Sequence, residues 1–338
     1  MGIKSTRKSE PYFNFFSESG DLEGISEGEV VFNTTGSHTW VAPKSAAHYG
    51  ISVVCVGGGG GARGIAGGGG GGGLGYKNNI SVTAGQSYTV KVGGKGNRGP
   101  NPGADPTTPA PNKGDSYFIS AATVRGGGGQ GADASNLGGP GGDYTGDGGG
   151  NGGRGGDSVN AGGGKGGGGG AGGYAGNGGN GINPGNNGQP GTDGSGGGGG
   201  GSFAGGGGVG LNGQGADGAY SWDGGKGGSG GADGGTYTSG GGNGGDYGGG
   251  GGCVDNNASN GSEGGAGAVR IIWNTAGNAR SFPSTNVGPP VDKVLKLNST
   301  SAQFDQDCLA TTANGVTLAG ADSLVNVNGG KYIYYAHA

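Results

Sequence analysis

Seven short segments of the chain carry apolar residues in the manner of β-strands: 29–32, 39–41, 51–56, 79–82, 88–92, 117–120 and 268–273. They are rich in β-branched and aromatic residues, and Gly, Pro or Asn bounds them. Apolar and polar positions alternate through Tyr88-Thr89-Val90-Lys91-Val92 and Val269-Arg270-Ile271, as expected of strands with one wet face. No stretch has the spacing of an amphipathic helix. The pattern predicts a mainly β fold, a small sandwich or jelly roll, with few or no α-helices.

The strands are not evenly spread. Between the sixth and the last lies a segment, 126–265, in which 70 of 140 residues are Gly. The expected organisation is an N-terminal attachment segment (1–28), a β-sandwich (29–125, completed by 266–275), a glycine-rich insertion (126–265) and a C-terminal β assembly segment (276–338). The last contains strand-like pieces at 294–297, 316–318, 324–327 and 332–335. Only 14 of the 140 insertion residues are Val, Leu, Ile, Met, Phe, Trp, Tyr or Cys. That is too few to offset backbone ordering at about 1–2 kcal/mol per residue, a cost that glycine raises. If the insertion is ordered, backbone hydrogen bonds must order it.

Phase supports order. Ala171, Tyr174, Asn177, Asn180, Asn183, Asn186, Gln189, Thr192 and Ser195 follow one another at intervals of three, and Asn151, Arg154 and Asp157 repeat the interval. A period of three is that of the left-handed polyproline II helix, which has no internal hydrogen bonds. Its N–H and C=O groups must find neighbouring chains. Glycine at two of three positions lets such chains pack laterally as a polyglycine II lattice, the third residue pointing outward or toward a layer edge. A turn is expected at Ile182-Asn183-Pro184-Gly185-Asn186-Asn187.

Composition removes other classes. Of 338 residues, 104 are Gly and 13 are Pro, and the formal net charge is −4. Collagen would need strict G-X-Y phasing and about 15–20% Pro. No apolar run is long enough to span a bilayer, so no membrane insertion is expected. The insertion carries three basic and eleven acidic residues, which argues against nucleic acid as a partner. Cys55, Cys253 and Cys308 lie far apart without a C-x-x-C, and are read as free thiols. No P-loop, no H-E-x-x-H and no serine elbow is present, so neither an enzyme nor a cofactor is expected. The motif around Asp157 fits one calcium nonapeptide, but without tandem copies.

Tyr144, Tyr174, Phe203, Tyr220, Trp222, Tyr237 and Tyr247 stand alone among glycines and small polar residues. Such rings suit contact with a saccharide or a surface protein, or they cover the lattice and pack on the sandwich. Tyr220-Ser221-Trp222-Asp223 is the leading candidate for recognition.

The order of Thr39-Trp40-Val41-Ala42-Pro43, Ile51-Ser52-Val53-Val54-Cys55-Val56 running into glycines, and Asn79-Ile80-Ser81-Val82-Thr83-Ala84-Gly85-Gln86 resembles the glycine-rich domain of tailed-bacteriophage virion proteins. The closing Ala268-Val269-Arg270-Ile271-Ile272-Trp273 and Arg280-Ser281-Phe282-Pro283 are similar to the version in phages of marine cyanobacteria, as is the terminal Tyr332-Ile333-Tyr334-Tyr335. The resemblance implies a tail-fibre or surface-appendage protein in multiple copies, made in the host cytoplasm and assembled with other tail or capsid proteins. It also implies, as an alternative, an adhesin for a host surface receptor. An ice-binding protein is a third reading, which regular flat faces of small residues would favour.

Overall fold

The computed structural model describes residues 28–64, 67–99, 114–132, 137–158, 166–182, 188–192, 196–236, 241–253, 261–273 and 281–283, with the backbone of four short strands beyond them. The chain divides into two compact units, Met1–Val287 and Gly288–Ala338. In the first, ten strands form two antiparallel sheets of five. One sheet orders β1 (Gly28–Phe32), β10 (Ala268–Trp273), β3 (Ile51–Val56), β4 (Leu74–Ile80) and β9 (Gly148–Gly150). The other orders β2 (Gly36–Val41), β5 (Ser87–Val92), β6 (Ser116–Phe118), β7 (Val124–Gly126) and β8 (Tyr144–Thr145). A six-residue helix, Lys44–Tyr49, is the one helix among the described residues. The mainly β class that the apolar pattern predicts is therefore present.

The sheets stack through Trp40, Val90, Val92, Phe118 and Val124 on one side and Val53, Cys55, Val269 and Ile271 on the other. Trp40 meets Phe118 edge-on at 5.8 Å between ring centroids and lies 5.9 Å from Trp273. The opposite face of the β1/β10/β3/β4/β9 sheet is covered as well. There Val54, Val56, Leu74, Tyr76, Ala268 and Ile272 pack with Ala171, Tyr174, Val209 and Leu211 of the glycine region, and with Phe282. Coverage on both faces explains why every residue of β3 is buried and why its sequence is an almost unbroken apolar run. It also corrects the expectation of a wet face for β10: Arg270 is 2% exposed.

Strand β4 serves both cores because it changes face. Its register against β3 shifts between Ile51 and Val53, and Asn79 takes a φ of 54°. The extra residue turns Ile80 into the core between the sheets, while Leu74 and Tyr76 face the glycine region. Beside this bulge the Asn78 amide donates to the Phe282 carbonyl at 2.8 Å and accepts the Phe282 N–H at 3.0 Å. That clamp seats the Phe282 ring against Tyr174 (5.7 Å) and Tyr76 (6.1 Å).

Where side chains stop, the hydrogen-bond period changes from two residues to three. The β3–β4 ladder ends at Val56 opposite Leu74. The two chains then remain bonded through Gly57 N–H to Gly73 O (2.9 Å), Gly60 N–H to Gly70 O (2.8 Å) and Arg63 N–H to Gly67 O (3.3 Å). Each step is three residues on both chains.

The seven glycines 67–73 spend the remaining positions on other neighbours. Gly68 and Gly71 donate to Gly156 and Gly153, Gly69 and Gly72 to Gly251 and Gly248, and Gly70 and Gly73 to Gln130 and Gly127. Their carbonyls accept from Gly139 and Gly142 and from Gly169 and Gly172, besides the 57–63 chain. Among the described residues, this one segment is thus bonded to six others. Segment 166–173 is bonded in the same way, to 67–72, 153–156, 176–182, 197–200, 204–207 and Gly250. A β-strand bonds on two sides only. Chains bare of side chains are open on every side, and the glycine array uses that freedom to satisfy buried backbone polar groups that would otherwise be costly.

Side chains on the phased positions close the perimeter. Asn177 and Asn180 Oδ1 accept the N–H groups of Asn151 (2.9 Å) and Arg154 (2.8 Å), three residues apart on each chain. Asn243 does the same for Glu263 at 3.0 Å. Asn177, Asn180, Gln189 and Thr192 are exposed, as the period predicts. Ala171 and Tyr174, in the same phase, are 0% exposed; their segment is interior, so its third positions face the sheet.

Other expectations shift. The strand predicted at 79–82 is Leu74–Ile80, and that at 117–120 ends at Phe118, where Ile119 takes a φ of 64°. Strands β7, β8 and β9, of two or three residues each, were not anticipated. The array also draws on 57–63 and 67–73, outside the expected 126–265. The turn residues 183–187 lie outside the described residues. The flanking chains reverse direction, with Gln189 N–H on Asn180 O and Thr192 N–H on Asn177 O, both at 2.9 Å.

In the second unit β11 (Lys293–Val294) pairs with β12 (Phe304–Asp305), and β13 (Leu309–Thr312) with β14 (Gly315–Leu318), both antiparallel. The expected strands at 324–327 and 332–335, and the segment 1–27, lie outside the described residues.

Candidate functional site

The structure brings Tyr220 and Trp222 together, edge to face with centroids 6.0 Å apart. Trp222 is 57% exposed, Tyr220 is half-buried with its ring against Gly188, and Asp223 is exposed. The turn that presents them is held by Asp223 N–H on Ser221 Oγ at 3.2 Å. Tyr144, on β8, is 38% exposed. Phe203 is half-buried with a φ of 63°. Tyr174 follows the packing alternative: it is wholly buried against the sheet, and its hydroxyl donates to Gly210 O at 3.1 Å and accepts from Gly213 N–H at 3.2 Å. Burial raises its pKa above the usual tyrosine value. Tyr237 lies outside the described residues.

Tyr247 belongs to a different feature, a cleft of about 350 Å³ beside strand β1. Its walls are Glu29 and Val31 of β1, Arg270 of β10, the chain from Gly210 to Asn212, Tyr247, and the turn from Ser229 to Ala232. The buried Arg270 guanidinium donates to Glu29 and, at 2.9 Å, to the Leu211 carbonyl. Of these residues only Tyr247 was expected from the sequence. Glu29, Asn212, Ser229 and Arg270 are scattered along the chain and carry no shared motif.

Asp157 is occupied structurally. Its carboxylate accepts the Gly138 N–H at 2.8 Å and pairs with Arg154. Among the described residues, no three His, Cys, Asp or Glu side chains are grouped to hold a metal ion. Burial works to raise the pKa of Asp157, but Arg154 and the Gly138 N–H outweigh it and hold the group below the usual carboxylate range. Asp147 is lowered by the Asn78 N–H and then by Lys77, and Asp233 by Lys226 and then by the Gly227 N–H. A carboxylate with a depressed folded-state pKa contributes stability above its unfolded value, about 3.9, and loses it as pH falls through the folded value. These groups are 31–53% exposed, so each contributes less than about 1 kcal/mol. The melting temperature should be level from neutral pH to about pH 5 and fall below about pH 4. Thermal scans across that range test this, and Asp157→Asn should reduce the acid slope.

Cys55 and Cys253 are free and buried. Burial pushes both thiols up, Cys253 to about 12. With almost no thiolate at neutral pH they should resist iodoacetamide in the folded protein and react once it is unfolded. Mass spectrometry of the two peptides reads the result. Cys308 lies outside the described residues.

Two stacked antiparallel sheets with a third layer made of backbone-bonded glycine segments define a mainly β, glycine-rich domain. The sequence profile of the glycine-rich domain family matches residues 33–274, and the chain belongs to that family. No curated protein matches it.

Proposed function

We propose that the chain is a non-enzymatic structural protein of a tailed-bacteriophage virion, a tail-fibre or surface-appendage component that projects a rigid polyglycine II lobe from a β-sandwich base. The observation that carries the reading is the construction of the lobe. Bonds that recur every third residue, and segments tied to six neighbours, are what packed three-fold glycine helices require. Such a body is stiff without a large apolar core, and this suits a part that transmits position. The resemblance of the strand segments to phage virion proteins supplies the context.

On this reading the partners are other tail or capsid proteins and further copies of the chain, with no cofactor and no nucleic acid. No helix among the described residues is long and apolar enough to cross a membrane. Cryo-electron microscopy of particles from a phage that carries this gene should place the chain in a fibre or surface appendage. Its absence from purified particles would overturn the proposal.

A second reading is favoured by Trp222. A tryptophan 57% exposed beside a tyrosine and an exposed carboxylate is a suitable contact for a host surface glycan or protein. Purified protein should then block adsorption, and Trp222→Ala should abolish the block. Unchanged adsorption in the presence of the wild-type protein would remove this reading and leave the structural one.

A further inference from the structure

The cleft beside β1 is a candidate site of its own. It is formed where the sheet edge meets the glycine lobe, and its volume of about 350 Å³ lies at the small end of the range for small-ligand sites, roughly 300–1,000 Å³. Its lining combines the apolar Val31, Leu211 and half-buried Tyr247 with the polar Glu29, Asn212, Ser229 and Arg270.

Two backbone features mark the same place. Ser229 and Tyr247 both take positive φ, 49° and 62°, and both line the cleft beside Gly230 at 75°. L-residues avoid this conformation, and surrounding structure must hold them in it. Here Val209 N–H donates to Tyr247 O at 3.1 Å and Gly215 N–H to Ser229 Oγ at 3.1 Å. The walls are therefore fixed before any ligand arrives, which lowers the cost of binding.

The charges define the ligand class. Arg270 is engaged by Glu29 and the Leu211 carbonyl, so the pair is balanced and held in one geometry. An anion entering the cleft would face the Glu29 carboxylate, and a cation would face the guanidinium. A neutral polyhydroxyl ligand meets neither penalty. Its C–H face matches the Tyr247 ring. Its hydroxyls match a carboxylate that accepts, an amide that donates and accepts, and a serine hydroxyl. We propose that this cleft binds a single neutral hexose unit. Val31, Leu211 and Tyr247 would take its apolar face, and Glu29, Asn212 and Ser229 its hydroxyls. The proposal stands apart from the virion reading and from the Trp222 surface, with which it shares no residue.

The test is titration of the full chain, ¹⁵N-labelled, with the methyl glycosides of glucose, galactose and mannose, and with inorganic phosphate in parallel. At least one glycoside should shift the amides of Gly210, Gly230 and Gly231 saturably, and phosphate should not. Asn212→Ala and Glu29→Gln should each weaken that binding about tenfold or more, and Trp222→Ala should leave it unchanged. Asn212 is exposed, so Asn212→Ala should melt as the parent does; should Glu29→Gln fail to fold, Asn212→Ala decides alone. Overturning results are no saturable shift with any glycoside, an equal response to phosphate, or binding indifferent to Asn212→Ala. None of these affects where the chain sits on a particle.

Discussion

Replacing Gly70 by alanine should lower the unfolding free energy by about 3 kcal/mol or more, at the upper end of what overpacking costs. Gly70 donates to Gln130 O at 2.9 Å and accepts from Gly60 N–H at 2.8 Å, so it cannot slide along its segment. A methyl on its Cα would land on the Pro140 carbonyl. That carbonyl is backbone and is itself bonded by Gln130 N–H at 2.9 Å, so relief would require moving a second segment. The usual gain from replacing glycine, about 0.4–1 kcal/mol through the unfolded state, is too small to compensate. Gly169→Ala meets the Gly153 carbonyl in the same way and should cost a similar amount. Asp223→Ala, on the exposed rim, should change stability by no more than about 0.5 kcal/mol. Calorimetric melting of the three variants checks the set. Alanine at position 70 melting like the parent would mean that the segments are not in backbone contact.

The second large effect is expected from Phe282→Ala, at about 3–5 kcal/mol. The residue lies beyond the stretch 33–274 that the glycine-rich family profile covers, yet it is 3% exposed and closes the core between sheet and lobe. Its ring stacks on Tyr174 with planes 20° apart and touches Tyr76. Truncation to alanine leaves two tyrosines facing a void that the rigid array cannot collapse to fill. Phe282→Leu keeps most of the volume and should cost less than half as much. Denaturant unfolding of both variants gives the comparison. Equal, small losses would show that Phe282 only lies on the surface of that core.

What was legible in the sequence follows from where side chains exist. Strands β3 and β10 are readable to the residue because Ile51–Val56 and Ala268–Trp273 are dense in β-branched residues. The third layer that covers them was not readable. Arg270 between Val269 and Ile271 has the look of a wet position, and only the lobe lying over that face buries it. The glycine period could be read wherever a side chain marks it, as at Asn177 and Asn180. In 67–73 seven identical residues carry no phase, and this segment proved to be an interior one, bonded to six others. Phase also does not tell inside from outside: Tyr174 and Asn177 share it, and one is buried while the other is exposed. The cleft was illegible for a different reason. Glu29, Asn212, Tyr247 and Arg270 meet only through the fold, so no spacing in the sequence joins them.

Hydrogen bonds between neighbouring backbones order the glycine segments. Hydrogen exchange read by mass spectrometry measures this directly, because each protected amide must open before it exchanges. Peptides that cover 67–73 and 166–173 should exchange as slowly as those of β3, while the exposed turn at Ser221 to Asp223 exchanges faster. Exchange of 67–73 and 166–173 at the rate of an unstructured chain, with β3 still protected, would contradict the account.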